Sequence, residues 1–204
     1  MMIVGTHNSG TYAKLVWWQR PLGCLINLFS RCQSKTIDEQ LKDGIKYFNI
    51  QLAFYKNDWY FSHGLALYNL KFWDIFNKFV KKASKRKPIY LQLYLDKNFF
   101  FTQNKEKFKQ FIRIVEREIE GTNVKISRVW IEGSNKWDIR DNLKYIDKYW
   151  GLWWIKKDPN FKWYEKLPFP ICHAKKYNKK YKEQMKSGEL NNYDVVLLDF
   201  YHLT

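Results

Sequence analysis

Long apolar runs are missing from this chain. No stretch of about 18 apolar residues occurs in its 204 positions, which excludes a transmembrane helix. Cysteine is scarce. Cys24, Cys32 and Cys172 form an odd set without paired metal-ligand spacing, so neither a disulfide scaffold nor a zinc cluster is expected, and reduced thiols in a cytosolic setting are. Only Met1 and Met2 precede the first apolar run, so no signal peptide is read and a cytoplasmic location is expected. Gly/Ser linkers and low-complexity tracts are also absent, and residues 1–204 are taken as a single domain, long enough for a sizeable core. Acidic charge is in short supply: 20 Asp and Glu stand against 36 Lys and Arg, a formal net charge of +16. That excess favours anionic partners such as phosphates, nucleic acid or an acidic membrane surface, unless it serves solubility alone.

What is present is a strand–helix alternation. Strands are expected at Met2 to Thr6, Ile45 to Phe54, Trp59 to His63, Pro88 to Leu95, Arg128 to Ile131, Leu152 to Ile155, Phe169 to Cys172 and Val195 to Phe200. Helices are expected where Phe72, Ile75, Phe76, Phe79 and Val80 recur, then Phe108, Phe111, Ile112, Val115 and Ile119, then Ile139, Leu143 and Ile146. A basic helix spans Lys175 to Lys186, and Lys14 to Ser30 reads as irregular. Thr36-Ile37-Asp38-Glu39 is a capping box, in which the Thr hydroxyl and Glu carboxylate satisfy each other's backbone donors. Gly44 then stops the short helix. In the strand after it Ile50, Leu52 and Phe54 share one face, and Asn49, Gln51 and Ala53 the other. Eight strands with intervening helices predict an α/β fold, a small, irregular (β/α)8 TIM-type barrel, with a doubly wound open sheet as the alternative. In either, strand C-termini form the functional face.

Three chemistry-bearing side chains fall at such ends: His7 after Met2 to Thr6, His63 before Gly64, and Asp199 after Val195 to Leu198. Imidazole titrates near neutrality, so one His can act as base while another acts as acid. A carboxylate can fix the tautomer of its His partner.

Four blocks carry a resemblance: Gly5-Thr6-His7-Asn8-Ser9-Gly10-Thr11-Tyr12, Cys32 to Leu41, Gly44 to Leu52, and His63-Gly64. In order and spacing the chain resembles the catalytic X domain of phosphatidylinositol-specific phospholipase C, in its compact bacterial type. The match is strong over the first 65 residues and weaker beyond them. The resemblance implies an irregular β/α barrel. It also implies a phosphodiesterase in which His7 takes a proton from a hydroxyl beside the phosphate, that hydroxyl attacks phosphorus, and His63 protonates the leaving alcohol. Asp199 would orient His7, and no cofactor is implied.

Departures from that pattern are neutral. Asn8 stands where the bacterial members usually have Asp, and Asn49 and Gln51 replace their Asp-x-Arg. Calcium prefers charged oxygen ligands, so no metal site is expected. Asn49, Gln51 and Tyr94 are candidates for phosphate or substrate contact. So are Trp154, Lys156 and Lys157, with Lys46 as a further substitute cation. Trp153-Trp154 beside the two lysines, and Trp163-Tyr164, could stack a base. The expected ligand is thus an anionic phosphodiester, phosphoinositide or nucleotide. Trp17-Trp18, Leu25, Leu28 and Phe29 suit peripheral contact with a membrane. The alternatives are a protein on the same scaffold that cleaves or sequesters a cyclic nucleotide or other phosphorylated small molecule, with lipase activity reduced or lost, and a basic nucleic-acid-binding module. Nothing in the residues sets an oligomeric state.

Overall fold

A computed structural model describes residues 2–85, 87–97, 100, 103–131, 137–144 and 170–203. Its strands are β1 (Ile3–Thr6), β2 (Tyr47–Tyr55), β3 (Asp58–His63), β4 (Ala66–Lys71), β5 (Ile89–Leu95), β6 (Val124–Trp130), β7 (Asp138–Ile139) and β8 (Val195–Leu198). Its α-helices are α1 (Gly23–Ser30), α2 (Ile37–Lys42), α3 (Phe72–Lys82), α4 (Lys105–Ile119) and α5 (Pro170–Ser187), and a 3₁₀ turn covers Trp17–Leu22.

The strands form one eight-stranded mixed sheet. β2 organises it. Along one edge β2 runs parallel to β5, from Tyr47 opposite Tyr90 to Leu52 opposite Leu95. Its other edge is shared: Tyr47 and Phe48 pair with β1, and Leu52 to Tyr55 pair antiparallel with β3. β4 continues that antiparallel meander, β6 follows β5 in parallel, and β1 carries β8 on its far side. Residues 140–144 cross from β6 to β8. The Arg140 amide donates to the Ser127 carbonyl at 2.9 Å, and the Asp194 and Val195 amides donate to the Lys144 carbonyl at 2.8 and 3.2 Å. Among the described residues no ladder joins β7 to β8, so there the sheet is mixed and does not close into a parallel barrel.

Alternation along the strands separates two faces. Phe48, Ile50 and Leu52 of β2 and Leu91, Leu93 and Leu95 of β5 join α3 and α4 in the main apolar core, through Phe72, Phe76, Phe79, Phe108, Phe111 and Val115. The opposite face is polar. There the Tyr47 hydroxyl donates to Gln92 Oε1 at 2.9 Å and lies 3.0 Å from the Ser127 hydroxyl, and Arg128 Nη2 donates to the same Gln92 oxygen at 3.1 Å. Asn49 and Gln51 belong to this face. The capping box at Thr36 forms with both arms, and Gly44 adopts φ +85° after α2, as the sequence predicts.

Three expectations are corrected, and one strand is added. Lys14 to Ser30 is not irregular, since it holds the 3₁₀ turn and α1. Its mixed apolar surface hides the 3.6-residue period. Ile139 lies not in a helix but in β7, paired antiparallel with β6. Pro170 to Cys172 open α5 instead of a strand, because Pro is well tolerated in a first helical turn. β4 escapes the sequence reading because Leu67, Leu70 and the polar Asn69 give no clean alternation. Leu152 to Ile155 lie outside the described residues.

Close packing around β1 sets a requirement for glycine. A Cβ on Gly5 would sit 2.8 Å from the Tyr47 carbonyl oxygen and 2.5 Å from Leu197 Cδ2, since β2 and β8 flank the strand there. Gly5→Ala is expected to cost about 1–3 kcal/mol through overpacking, read as a lower midpoint in urea unfolding. An unchanged midpoint would show that the three strands separate at this level without penalty.

Candidate active site

The parallel register of β1 and β8, from Ile3 opposite Val195 to Thr6 opposite Leu198, brings their C-termini side by side. His7 and Asp199 are the next residues on each. His7 Nδ1 lies 2.7 Å from Asp199 Oδ1. This geometry suits the tautomer with the proton on Nδ1, which leaves Nε2 as the basic nitrogen. Asn8 Nδ2 lies 3.0 Å from that Nε2 and donates to it. The sequence departure at Asn8 is therefore in direct contact with the candidate base.

Buried amides hold the strand ends in place. Gln33 Nε2 donates to the His7 carbonyl at 3.0 Å and to the Leu198 carbonyl at 2.7 Å. Gln40 accepts from the Thr6 hydroxyl at 2.8 Å and donates to the Ser9 and Lys35 carbonyls. Asn49 Oδ1 accepts the Asn8 amide at 3.0 Å. Asn178 of α5 donates to the Asp199 and Phe200 carbonyls, so the basic helix acts on the site through one buried carboxamide. Asn8 and Phe200, the residues following His7 and Asp199, take φ of +46° and +41°. For a bulky side chain such as Phe200 this backbone region is strained, and strain of this kind concentrates at functional sites.

His63 ends β3 on the other side of Cys32. Its ring centroid is 6.0 Å from that of His7, with the planes at 73°. His63 Nδ1 donates to the Ser30 carbonyl at 2.7 Å. Asp96, at the end of β5, accepts from the Ser62 hydroxyl at 2.8 Å and the Gly64 amide at 2.9 Å, bracketing His63 on both sides. Burial, and then the neighbouring His7 imidazole, push the His63 pKa down from 6.5 to about 4. Cys32 Sγ lies 3.7 Å from His63 Nδ1 and 3.5 Å from Asn8 Nδ2. Burial, reinforced by the Asp199 carboxylate, raises its pKa well above the ordinary thiol value, so Cys32 is a neutral thiol between the two imidazoles. Ligand atoms of His7, Cys32 and Asp199 lie within 4.8 Å of one another. A set containing sulfur does not suit calcium, which takes oxygen ligands. It would suit a borderline-soft cation instead.

The fold is that of bacterial phosphatidylinositol-specific phospholipase C. The enzyme from Staphylococcus aureus, as a tyrosine point mutant, superposes with a TM-score of 0.62 at 13% identity, covering 97% of this chain and 84% of that one. The enzyme from Listeria monocytogenes gives 0.61 at 15% identity, with 98% and 88% covered. Another Staphylococcus aureus structure, determined in connection with modulation of its membrane binding, gives 0.60 at 14% identity, with 97% and 85% covered. Neither a family model nor a curated protein matches the chain.

Of the residues singled out from sequence, His7, Asn8, Asn49, His63 and Asp199 come together in the structure. Gln51 lies on the same face of β2, one alternation further along, opposite Tyr94 of β5. Lys46 precedes β2 and alternates with Phe48 and Ile50 on the face away from Asn49 and Gln51, which removes it as the substitute cation. Trp154, Lys156 and Lys157 lie outside the described residues, as do Trp153, Trp163 and Tyr164. Sequence reading gave no role to Cys32, Gln33, Gln40, Asp96 or Asn178. Cys32 and Gln33 stood inside a matching block, whereas Asp96 and Asn178 carried no motif.

Because the folded-state pKa of His63 is depressed, the unfolded chain binds its proton first as the solution is acidified. Stability should therefore hold above pH 6.5 and decline as pH falls from 6.5 toward about 4. Urea midpoints across that window test this. His63→Gln should flatten the slope, and an equal slope in both proteins would place the acid sensitivity elsewhere.

Proposed function

We propose that the chain is a phosphodiesterase of the phosphatidylinositol-specific phospholipase C type, with residues 1–204 forming one catalytic domain whose sheet curls into a small, irregular (β/α)8 barrel. The observation that carries this reading is the pair of strand-end imidazoles 6.0 Å apart, one of them fixed by a carboxylate at 2.7 Å. The likeness in fold to bacterial phospholipases C supports it.

In this reading a substrate hydroxyl next to the phosphodiester gives its proton to His7 Nε2. Its oxygen forms a bond to phosphorus, and the bond from phosphorus to the leaving alcohol breaks. The leaving oxygen takes a proton from His63, and a cyclic phosphodiester remains. Asp199 stabilises the imidazolium formed on His7. Asn8 Nδ2, on the base nitrogen in the free protein, turns to a phosphoryl oxygen as the substrate hydroxyl displaces it. His63 is neutral at pH 7 in the free protein, with its proton on Nδ1 toward Ser30. An anion beside the ring favours its charged form, so the bound phosphodiester itself loads the acid with its second proton. Both proton transfers are thus supplied by imidazole.

A lipid substrate is favoured by the surface beside the site. Trp17 is 70% exposed and Leu22 64%, with Leu25, Leu28 and Phe29 of α1 and Leu65 also exposed. Leu65 is two residues from His63, and Gln19 Nε2 donates to its carbonyl at 2.7 Å, tying the 3₁₀ turn to the catalytic β3–β4 turn. Apolar side chains exposed along one helical segment suit an interaction site, and an exposed Trp among them suits the headgroup level of a bilayer. Among the described residues no helix is long and apolar enough to cross a membrane, so the contact is peripheral.

Turnover of phosphatidylinositol in vesicles and in short-chain soluble form tests both parts. His7→Ala should reduce kcat by about 10²–10⁴, with a cyclic inositol phosphate as the first product of the parent protein. No product from either form, together with tight binding of inositol phosphate, would favour sequestration over catalysis, a reading the neutral Asn8, Asn49 and Gln51 support. Trp17→Ala combined with Leu25→Ala should lower the vesicle rate more than the soluble rate. Equal losses on both would remove the membrane role.

A further inference from the structure

We propose that His7, Cys32 and Asp199 form a regulatory site for a zinc-class divalent cation, and that the bound cation holds the site in an inactive state. The inactivation rests on the paired-histidine reading above, whereas the binding does not.

The three donors come from separate segments that the backbone ties together. His7 and Asp199 follow β1 and β8, and Cys32 follows α1. The Cys32 amide donates to the Thr11 hydroxyl at 2.9 Å, and its carbonyl accepts the Phe200 amide at 2.7 Å. Cys32 is thus fixed to both segments that carry the other two donors. One ring nitrogen of His7, the Cys32 sulfur and one Asp199 oxygen lie within 4.8 Å of one another. Zinc holds such donors at about 2.0–2.3 Å in a tetrahedron, which places them about 3.3–3.6 Å apart, so side-chain shifts of about 1 Å close the trio on a cation. The His7 and Asp199 side chains are 20% and 26% exposed, whereas Cys32 is buried. A cation therefore enters past the first two and meets sulfur at the bottom. Three protein donors leave a fourth position for water, as in an open zinc site.

Charge and softness choose the ion. The Asp199 carboxylate and a Cys32 thiolate bring two negative charges, which a divalent cation cancels, and a neutral set is far easier to bury than a charged one. Sulfur with imidazole suits zinc and its neighbours, whereas calcium and magnesium take oxygen.

Asn8 supplies a second, independent observation. Its side chain is buried, with Nδ2 3.0 Å from His7 Nε2 and 3.5 Å from Cys32 Sγ, yet its Oδ1 has no hydrogen-bond partner among the described residues. A buried acceptor left unused is costly, and a cation on His7 Nδ1 puts this one to use. The imidazole then carries its single proton on Nε2. Turning the Asn8 carboxamide over places Oδ1 where Nδ2 stood, and it accepts that proton. Metal-bound imidazoles usually donate their other N–H to an oxygen in this way. The cation displaces one proton in all, from the Cys32 thiol to solvent, while the imidazole only changes tautomer. The nitrogen that would take the substrate's proton is then already protonated, so the base is blocked.

The test is titration of the metal-free full chain with cobalt(II), followed by the charge-transfer absorption that thiolate coordination produces. One cobalt per chain should give that band. Zinc should abolish it by displacement, and calcium or magnesium should not. Cys24→Ser, at the exposed cysteine, should keep the band, and Cys32→Ser should lose it. Asn8→Ala should weaken cobalt binding by about 10–100-fold while keeping the band. Absence of the band in the parent protein would overturn the site, with no variant required. So would a band that survives Cys32→Ser, or displacement of cobalt by calcium as readily as by zinc. Lipid turnover then reads the regulation. Zinc that fills the site should stop turnover, a chelator should restore it, and Cys32→Ser should escape inhibition relative to its own metal-free rate. Full turnover with the site filled by zinc would overturn the inactive state. The spectra need no turnover, so failure of the catalytic reading is seen separately in the metal-free lipid assay.

Discussion

The pairing of β1 with β8 is the constraint on which the site depends. Four residues of each strand run in parallel register, and everything chemical at the mouth follows from it. The two strands end together, so His7 and Asp199 meet at 2.7 Å. Gly5 lets β1 lie close to both neighbours, and Gln33 bonds the last carbonyl of β8 and that of His7 with one amide group. Displacing β1 by one residue would turn every side chain to the other face and carry His7 away from its carboxylate. The strained backbone at Asn8 and Phe200 is held by the same pairing together with Asn178.

Around this pair the protein uses dipoles where a charged site would use ions. Asn8, Asn49, Gln33 and Gln40 are buried carboxamides. Each is engaged with backbone or with a neighbouring side chain, and none adds net charge. Preorganised dipoles stabilise charge that develops during reaction without having to reorganise. The same neutrality lets His63 discharge in the free protein. A site built this way adds little charge of its own, and an anion placed beside His63 would favour the charged form of its ring.

Legibility of the sequence varied with how local each signal was. The capping box at Thr36, the two faces of β2, and the helices at Phe72 and Lys105 were readable because their patterns lie within a few turns of chain. His7, His63 and Asp199 were readable because strand ends and motif order mark them. Asp96 and Asn178 were not: each acts on a candidate site residue or its flank far away in sequence, through one carboxylate or one amide. The cluster of Tyr94, Trp130 and Trp137, with ring centroids 5.1 to 6.2 Å apart, was only partly visible. Tyr94 stood out as a candidate at a strand end, but its partners Trp130 and Trp137 join it only through strand register, which no composition or spacing expresses. The antiparallel β3–β4 meander was missed for a related reason, since His63-Gly64 looked like an end rather than a turn.

The sequence separation of 192 between His7 and Asp199 also governs when the site can exist. Loop closure over such a span costs entropy that local contacts do not offset, and long-range pairings of this type form slowly. The β2–β3–β4 meander and the helices packed on β5 have short separations and can form while the C-terminal segment is still unpaired. Asp199 reaches His7 only after β8 docks on β1. The imidazole of His7 therefore gains its carboxylate late, on a scaffold that is already folded.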